Sequence, residues 1–260
     1  MAVSSAKAGF SLGATRELLL PCTLLVCFGL YYGAEQPFSI VLAVAVPMLV
    51  LYACAPLWAR SSMAAFDRDA VQLLASGQSG ALVDRYERAI GMRLFAPAAV
   101  CAERQAMALA EAGQTRAARA AFRESLDEYG DAPPLRVLLG YAHASFALGD
   151  DAEAIPMYRK LLQSAVVLPG VERHLAYALV RSGEDPREAL SLLDRAPREP
   201  DDAHRRGELS LLRAVAHTRL GEHDRAASYE AEAGGAVSDA TETLRTLLRS
   251  AREGSSLPRA

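Results

Sequence analysis

The chain has 260 residues, is 51% hydrophobic and 23% charged, and carries a formal net charge of −3. That balance does not support the broad basic footprint of a nucleic-acid-binding protein. A mean hydropathy of +0.08 is high for a purely soluble chain, and the excess is local.

It sits near the N-terminus. From Leu18 the chain reads LLLPCTLLVCFGLYYGA, and after E-Q-P it reads FSIVLAVAVPMLVLYACAPLW to Trp58. The second run, about 21 residues or ~31 Å as a helix, is long enough to cross a hydrocarbon core. The first, at ~25 Å, needs bilayer thinning or a few flanking residues from Phe10 to Leu12. No charged side chain lies inside either run. Tyr31, Tyr32 and Trp58 stand at run ends, where amphipathic rings favour the headgroup zone.

The link Gly33–Pro37 permits only a tight hairpin, so both chain ends lie on one side. Lys7 and Arg16 precede the first run, Arg60 and Arg68 follow the second, and the tip carries only Glu35. The positive-inside rule then puts both termini in the cytoplasm, with a multi-pass hairpin in a bacterial inner membrane. Residues 18–58 are expected to contact lipid, and residues 1–62 to form this hairpin region. With no ionisable group in the spans to mark a transport path, the expected role is anchoring. A cleaved signal peptide is disfavoured because the second run follows at once and no small-x-small cleavage site is convincing. Pro21 before Cys22 argues against lipid attachment there.

Cys22, Cys27, Cys54 and Cys101 show no C-x-x-C spacing and no neighbouring histidine cluster. They read as small apolar residues, and no metal, cofactor or catalytic residue is expected. G-Q-S-G at Gly77 is a turn, because no strand precedes it.

Beyond the hairpin, Gly77, Gly113, Gly149, Gly183 and Gly221 recur at intervals of 36, 36, 34 and 38 residues. Each has an alanine seven positions upstream: Ala70, Ala106, Ala142, Ala176 and Ala214. A period in the mid-thirties is the mark of a repeat array. The upstream stretches have helical periodicity and stop at the glycine. After a short polar link a second amphipathic stretch follows, with Ala118, Ala154 and Ala226 five residues after their glycines. Tyr86, Phe122 and Tyr158 come nine after theirs, and Pro97, Pro133, Pro134 and Pro169 end units. Small residues let the two helices of a pair cross closely, and the aromatic fills the gap to the next pair. Such pairs must stack to bury their apolar faces.

This pattern resembles the tetratricopeptide repeat family, a 34-residue helix-turn-helix module, over about Met63 to Gly235. The best-matching unit is LRVLLGYAHASFALGDDAEAIPMYRKLL, Leu135 to Leu162. The family's early tryptophan is absent, with Leu138 in its place. The fourth unit carries one extra residue in G-E-D-P-R-E-A, moving its alanine to Ala189 and putting Leu193 where the aromatic belongs. Tyr229 comes one residue early, Ala81 one place early, and Arg198–Arg206 reads as a surface loop. A last helix, about Ser238 to Glu253, carries Leu244, Leu247 and Leu248 on one face and is expected to cap the stack, with Ser238 as its N-cap.

The fold class is therefore all-α: a two-helix transmembrane hairpin (1–62), a solenoid of about five tetratricopeptide-like helix pairs (63–237), and a capping helix with tail (238–260). The resemblance implies a concave groove lined by first helices, holding a peptide or a partner's helix. Matched by distance from each glycine, its residues are Glu103, Met107, Glu111, Arg136, Leu139, His143, Phe146, Arg173, Val180, Arg181, Leu211 and Arg219. Acids lead near the membrane and arginines further out, and the planar guanidinium suits carboxylates, so an acidic segment is a candidate ligand. Equally, those arginines could form salt bridges to neighbouring helices. The family's carboxylate clamp uses asparagine, which this chain lacks entirely. The implied function is a membrane-anchored, non-enzymatic protein-interaction scaffold. Two alternatives stay open: an envelope or secretion-complex assembly factor with the array outside the cytoplasm, and a membrane-complex subunit whose hairpin is the functional part.

Overall fold

The computed structural model describes residues 13–33, 38–164, 166, 168–195, 203–234 and 239–255. The hairpin tip at Glu35, most of the Arg198–Arg206 loop and the Ser238 cap lie outside the described residues. Among the described residues every regular element is helical. They form two compact units, Met1–Gly140 and Tyr141–Ala260, with the division falling inside a helix.

In the first unit, α1 (Gly13–Phe28) ends in a π-helical turn, Gly29–Gly33, and packs against α2 (Phe38–Ala75). Among the described residues, only α2 is long and apolar enough by itself to cross a membrane; the other apolar helix, Pro21–Tyr32, is shorter. The apolar side chains of both face outward: Leu24, Leu25, Phe28, Leu42, Val46, Leu49 and Val50 are all exposed. α2 does not stop at Trp58. It runs without a break through position 62 into the first array helix, 38 residues in all, or ~57 Å.

Its second half is held by protein. Ala59 and Phe66 enter a core with Leu82 and Tyr86 of α3 (Ala81–Arg88) and Met92 of α4 (Ile90–Phe95). Phe66 and Tyr86 meet edge to face at 6.2 Å. α5 (Ala98–Glu111) and α6 (Thr115–Tyr129) pack as the next pair, and Ser125 Oγ donates to the Ala99 carbonyl at 3.0 Å. Ala106 and Ala118, the expected small crossing residues, are fully buried, and Phe122 fills the core beside them. Ala81 is exposed, so the first pair departs from the pattern as its sequence does.

α7 (Leu135–Ala147) carries the division between the units. The second unit continues with α8 (Asp151–Leu162), α9 (Val171–Ser182), α10 (Pro186–Arg195), α11 (Ala203–Arg219), α12 (His223–Ala233) and α13 (Asp239–Ser255). Successive helices from α8 to α12 pack on one another, and α13 closes on α11 through buried Thr241, Leu244 and Leu248. Ala142, Ala154, Ala176, Ala189, Ala214 and Ala226 are all buried.

The five periodic glycines all have positive φ, from 72° to 80°. In four of the turns the next residue donates back to a carbonyl five positions upstream: Gln78 to Leu73, Gln114 to Leu109, Asp150 to Ser145 and Glu222 to His217, at 2.8–2.9 Å. This is the Schellman closure, which satisfies the last helical carbonyls. The fourth turn differs where the sequence has its extra residue. There Asp185 Oδ1 accepts from the Arg187 and Glu188 amides at 3.0 Å, an N-cap with Pro186 at the first helical position.

Gly140 has a different reason to be glycine: a Cβ there would lie 2.2 Å from the buried Phe122 ring. Gly149→Ala, in open space at φ 80°, should cost about 1 kcal/mol through backbone strain alone. Gly140→Ala should cost more, about 1–3 kcal/mol, because the ring must move. Denaturant midpoints of the two variants in detergent check the order.

Candidate functional site

The expected groove residues fall on the first helices of successive pairs, but most of their charges are already engaged. On α5, Glu103 is only 2% exposed. Arg136 binds it with both arms, through Nε to Oε1 and through Nη2 to Oε2 at 3.1 Å. The Tyr129 hydroxyl donates to the same Oε2 at 3.0 Å. Burial and then the Glu103 hydrogen bond raise the Tyr129 pKa. Arg136 keeps its outer side, with 62% of the side chain exposed. Met107 and Glu111 are exposed further along α5, and Leu139 is half-buried.

In the second unit, Arg181 is held harder. Its Nε and Nη2 grip buried Asp151 at 2.7 and 2.6 Å, and Nη2 also reaches the Phe146 carbonyl at 2.7 Å. The guanidinium lies 4.5 Å above the Phe146 ring and 5.8 Å from Tyr177. Its hydrogen bond to Asp151 raises its pKa. Arg219 lies against Gly183 and has a buried Nη1 without a hydrogen-bond partner; burial lowers its pKa. Arg173 is half-buried beside Gly170. Val180 and Leu211, expected to face a groove, are instead 1% exposed and serve the core.

What remains open between α7 and α9 is aromatic. His143 and His174 rings lie 4.8 Å apart. Phe146 meets His174 at 5.5 Å and Tyr177 at 5.4 Å, both edge to face. Tyr158 of α8 forms the floor, fully buried, its hydroxyl without a partner. His143 is exposed, and Phe146, His174 and Tyr177 are half-buried. His174 Nδ1 lies 2.8 Å from the Gly170 carbonyl, which orients its ring. Crowding and then His174 push the His143 pKa down to about 4, a shift that solvent at its open edge limits.

His174 and Tyr177 escaped the sequence reading, although the signal was present. Tyr177 stands six residues before Gly183, as Met107 stands before Gly113 and His143 before Gly149. Among the described residues no group of three or more His, Cys, Asp or Glu is placed to hold a metal ion. The Cys101 thiol points at the Met92 carbonyl, 3.3 Å away, and burial raises its pKa to about 11.

Two outcomes follow. Arg136→Ala leaves a buried carboxylate with only Tyr129, and should lower stability by about 1–3 kcal/mol, read as a denaturant midpoint; Arg136→Lys should recover part of it. His143, with its pKa depressed on folding, takes up protons more readily in the unfolded chain. Stability is therefore complete above pH ~6.5 and falls as pH drops from there towards about 4. His143→Gln should flatten that part of a melting-temperature profile.

One family model matches part of this array. Residues 103–132, which span most of α5 and all of α6, match a tetratricopeptide repeat family model. The match falls on the second pair, not on the third, whose sequence looked best. A solved structure described as a functional characterization of Pseudomonas aeruginosa pilF is 15% identical, with a TM-score of 0.49 over 89% of this chain and 99% of that one. A search of curated proteins found no match. A tetratricopeptide repeat is thus matched in sequence over one helix pair, and the same turn closure recurs at four of the five glycines.

Proposed function

We infer that the chain is a membrane-anchored adaptor: its N-terminal apolar helices sit in a bilayer, and its repeat array binds a partner protein or peptide. Tetratricopeptide arrays are protein-interaction scaffolds, and binding rather than catalysis is the reading here. The observation that carries the anchoring half is the outward-facing apolar belt on α1 and α2. Each such leucine or phenylalanine gains roughly 1.5–3 kcal/mol on leaving water. A helix also satisfies its own backbone in lipid. The arginines flanking the belt favour an inner-membrane hairpin with the array in the cytoplasm.

For the partner, the acidic-segment reading needs arginines free to receive a carboxylate. Arg181 is enclosed by Asp151 and two rings, which leaves the outer side of Arg136 as the place for an acidic residue to approach. In the second unit, taken by itself, the open chemistry is the aromatic face of His143, Phe146 and Tyr177. That face favours a peptide that presents an aromatic or aliphatic side chain.

Affinity capture of the full chain in mild detergent tests this. A His143→Ala, Tyr177→Ala double variant that stays folded by circular dichroism should lose the captured partner, and equal capture would remove the aromatic face from consideration. A reporter fused after Ala260 should be active as a cytoplasmic fusion; a periplasmic reporter would turn the array outward and favour an envelope-assembly role.

A further inference from the structure

α4 is six residues long, I-G-M-R-L-F, and no repeat pattern calls for it. It packs on both helices of the apolar region, α1 and α2. Besides the core contact of Met92 with Ala59 and Phe66, it meets α2 at Trp58. A Cβ on Gly91 would lie 2.7 Å from the Trp58 ring nitrogen, and the Phe95 ring is 5.4 Å away. Met92 and Gly91 are buried on that side. Yet Trp58 remains 47% exposed, Leu57 beside it 65%, and Ile90 at the start of α4 55%.

The height of this cluster is set by α2. From Phe38 to Trp58 the helix rises ~30 Å, the thickness of a hydrocarbon core. No charge occurs on α2 before Arg60. Trp58, Leu57 and Ile90 therefore form an open apolar rim where the uncharged belt ends. Arg60, Arg88 and Arg93 are exposed around that rim and outnumber Glu87. Arg93 is steered by the Glu87 carbonyl at 3.0 Å and by the Tyr86 ring at 5.8 Å.

We propose that α4 and Trp58 form a seat in the lipid headgroup zone, which holds the first repeat unit directly against the membrane surface. The occupant of the exposed rim is the bilayer interface. Indole and aliphatic side chains enter the upper acyl region, and the arginines meet phosphates. This rests on the anchoring reading given above. It adds that the array's first unit is docked on the membrane and is not held off it by the emerging helix.

Trp58 is the chain's one tryptophan, so the native protein carries its own probe. The full chain is reconstituted in vesicles of phosphatidylcholine and phosphatidylglycerol, brominated either high or deep on the acyl chain. Flotation first establishes that the protein is in the membrane. Native Trp58, and a Trp58→Phe, Ile90→Trp variant, should each lose roughly half their emission in the high-brominated vesicles and less in the deep ones, as interfacial rings do. A Trp58→Phe, Val71→Trp variant carries the probe on an exposed site ~20 Å further along α2, and should be quenched by aqueous acrylamide and not by bromine. Protein that does not float overturns the anchoring reading and the seat together. Protein that floats while position 90 is quenched only by acrylamide, or position 71 as strongly by bromine as position 90, overturns the seat and leaves the anchor standing.

Discussion

A single uninterrupted helix governs how this molecule is built. α2 begins in an apolar segment with its side chains facing outward and ends with Ala59 and Phe66 inside the first repeat core. A flexible linker would let a repeat unit tumble beneath its anchor. A continuous hydrogen-bonded helix does not, because rotating one half rotates the other. Pro47 and Pro56 are the two places in it where a backbone hydrogen bond is missing by covalent structure. Below them, Arg85 pairs with Asp69, and Arg104 takes Asp67 with both arms at 3.0 and 2.9 Å. Those exposed pairs add little energy singly, but they fix the rotation of the later helices about α2. The seat proposed at Trp58 rests on the same constraint, since whatever packs on α2 at that height keeps its position along the helix.

Within the array the turns and crossings repeat a local solution. A positive-φ glycine closes the first helix, its successor satisfies the exposed carbonyls, and alanines at fixed distances on either side allow close crossing. The exception is informative. The extra residue after Gly183 would displace the second helix, yet Ala189 and Leu193 are buried as in the other pairs. Asp185 and Pro186 start α10 at the shifted position with their own cap. The turn chemistry absorbs the insertion so that the packing register survives.

These features were legible because they are local and periodic. Glycine spacing, the alanines and the closing leucines Leu244 and Leu248 announce themselves within one or two turns of chain. α4 was not legible: six residues carry no period, and Gly91 packs on a tryptophan 33 positions earlier in the chain. The continuity of α2 was hidden too, since a change from apolar to amphipathic pattern at Trp58 looks like a boundary although nothing there stops a helix. Polar engagement was hidden most. Glu103 is an ordinary exposed-looking glutamate until the fold brings Arg136 and Tyr129 to it, and Val180 faced the groove by count but not by rotation of its helix.

Four of the arginine pairs share a spacing that explains why reading groove charge from sequence misleads in such an array. Arg104 to Asp67, Arg136 to Glu103, Arg181 to Asp151 and Arg159 to Glu188 are separated by 37, 33, 30 and 29 residues, close to the repeat length itself. Each pair joins one helix pair to the next. In a stack whose crossings rest on buried alanines such as Ala106, Ala118, Ala142 and Ala154, apolar contacts alone set direction weakly. A bidentate guanidinium supplies the angular preference that small apolar side chains lack. Arginine enrichment on first helices is then a requirement of stacking before it is a property of a ligand site. What stacking leaves open is the outer side of Arg136 in the first unit and, in the second, the rings of His143, Phe146 and Tyr177.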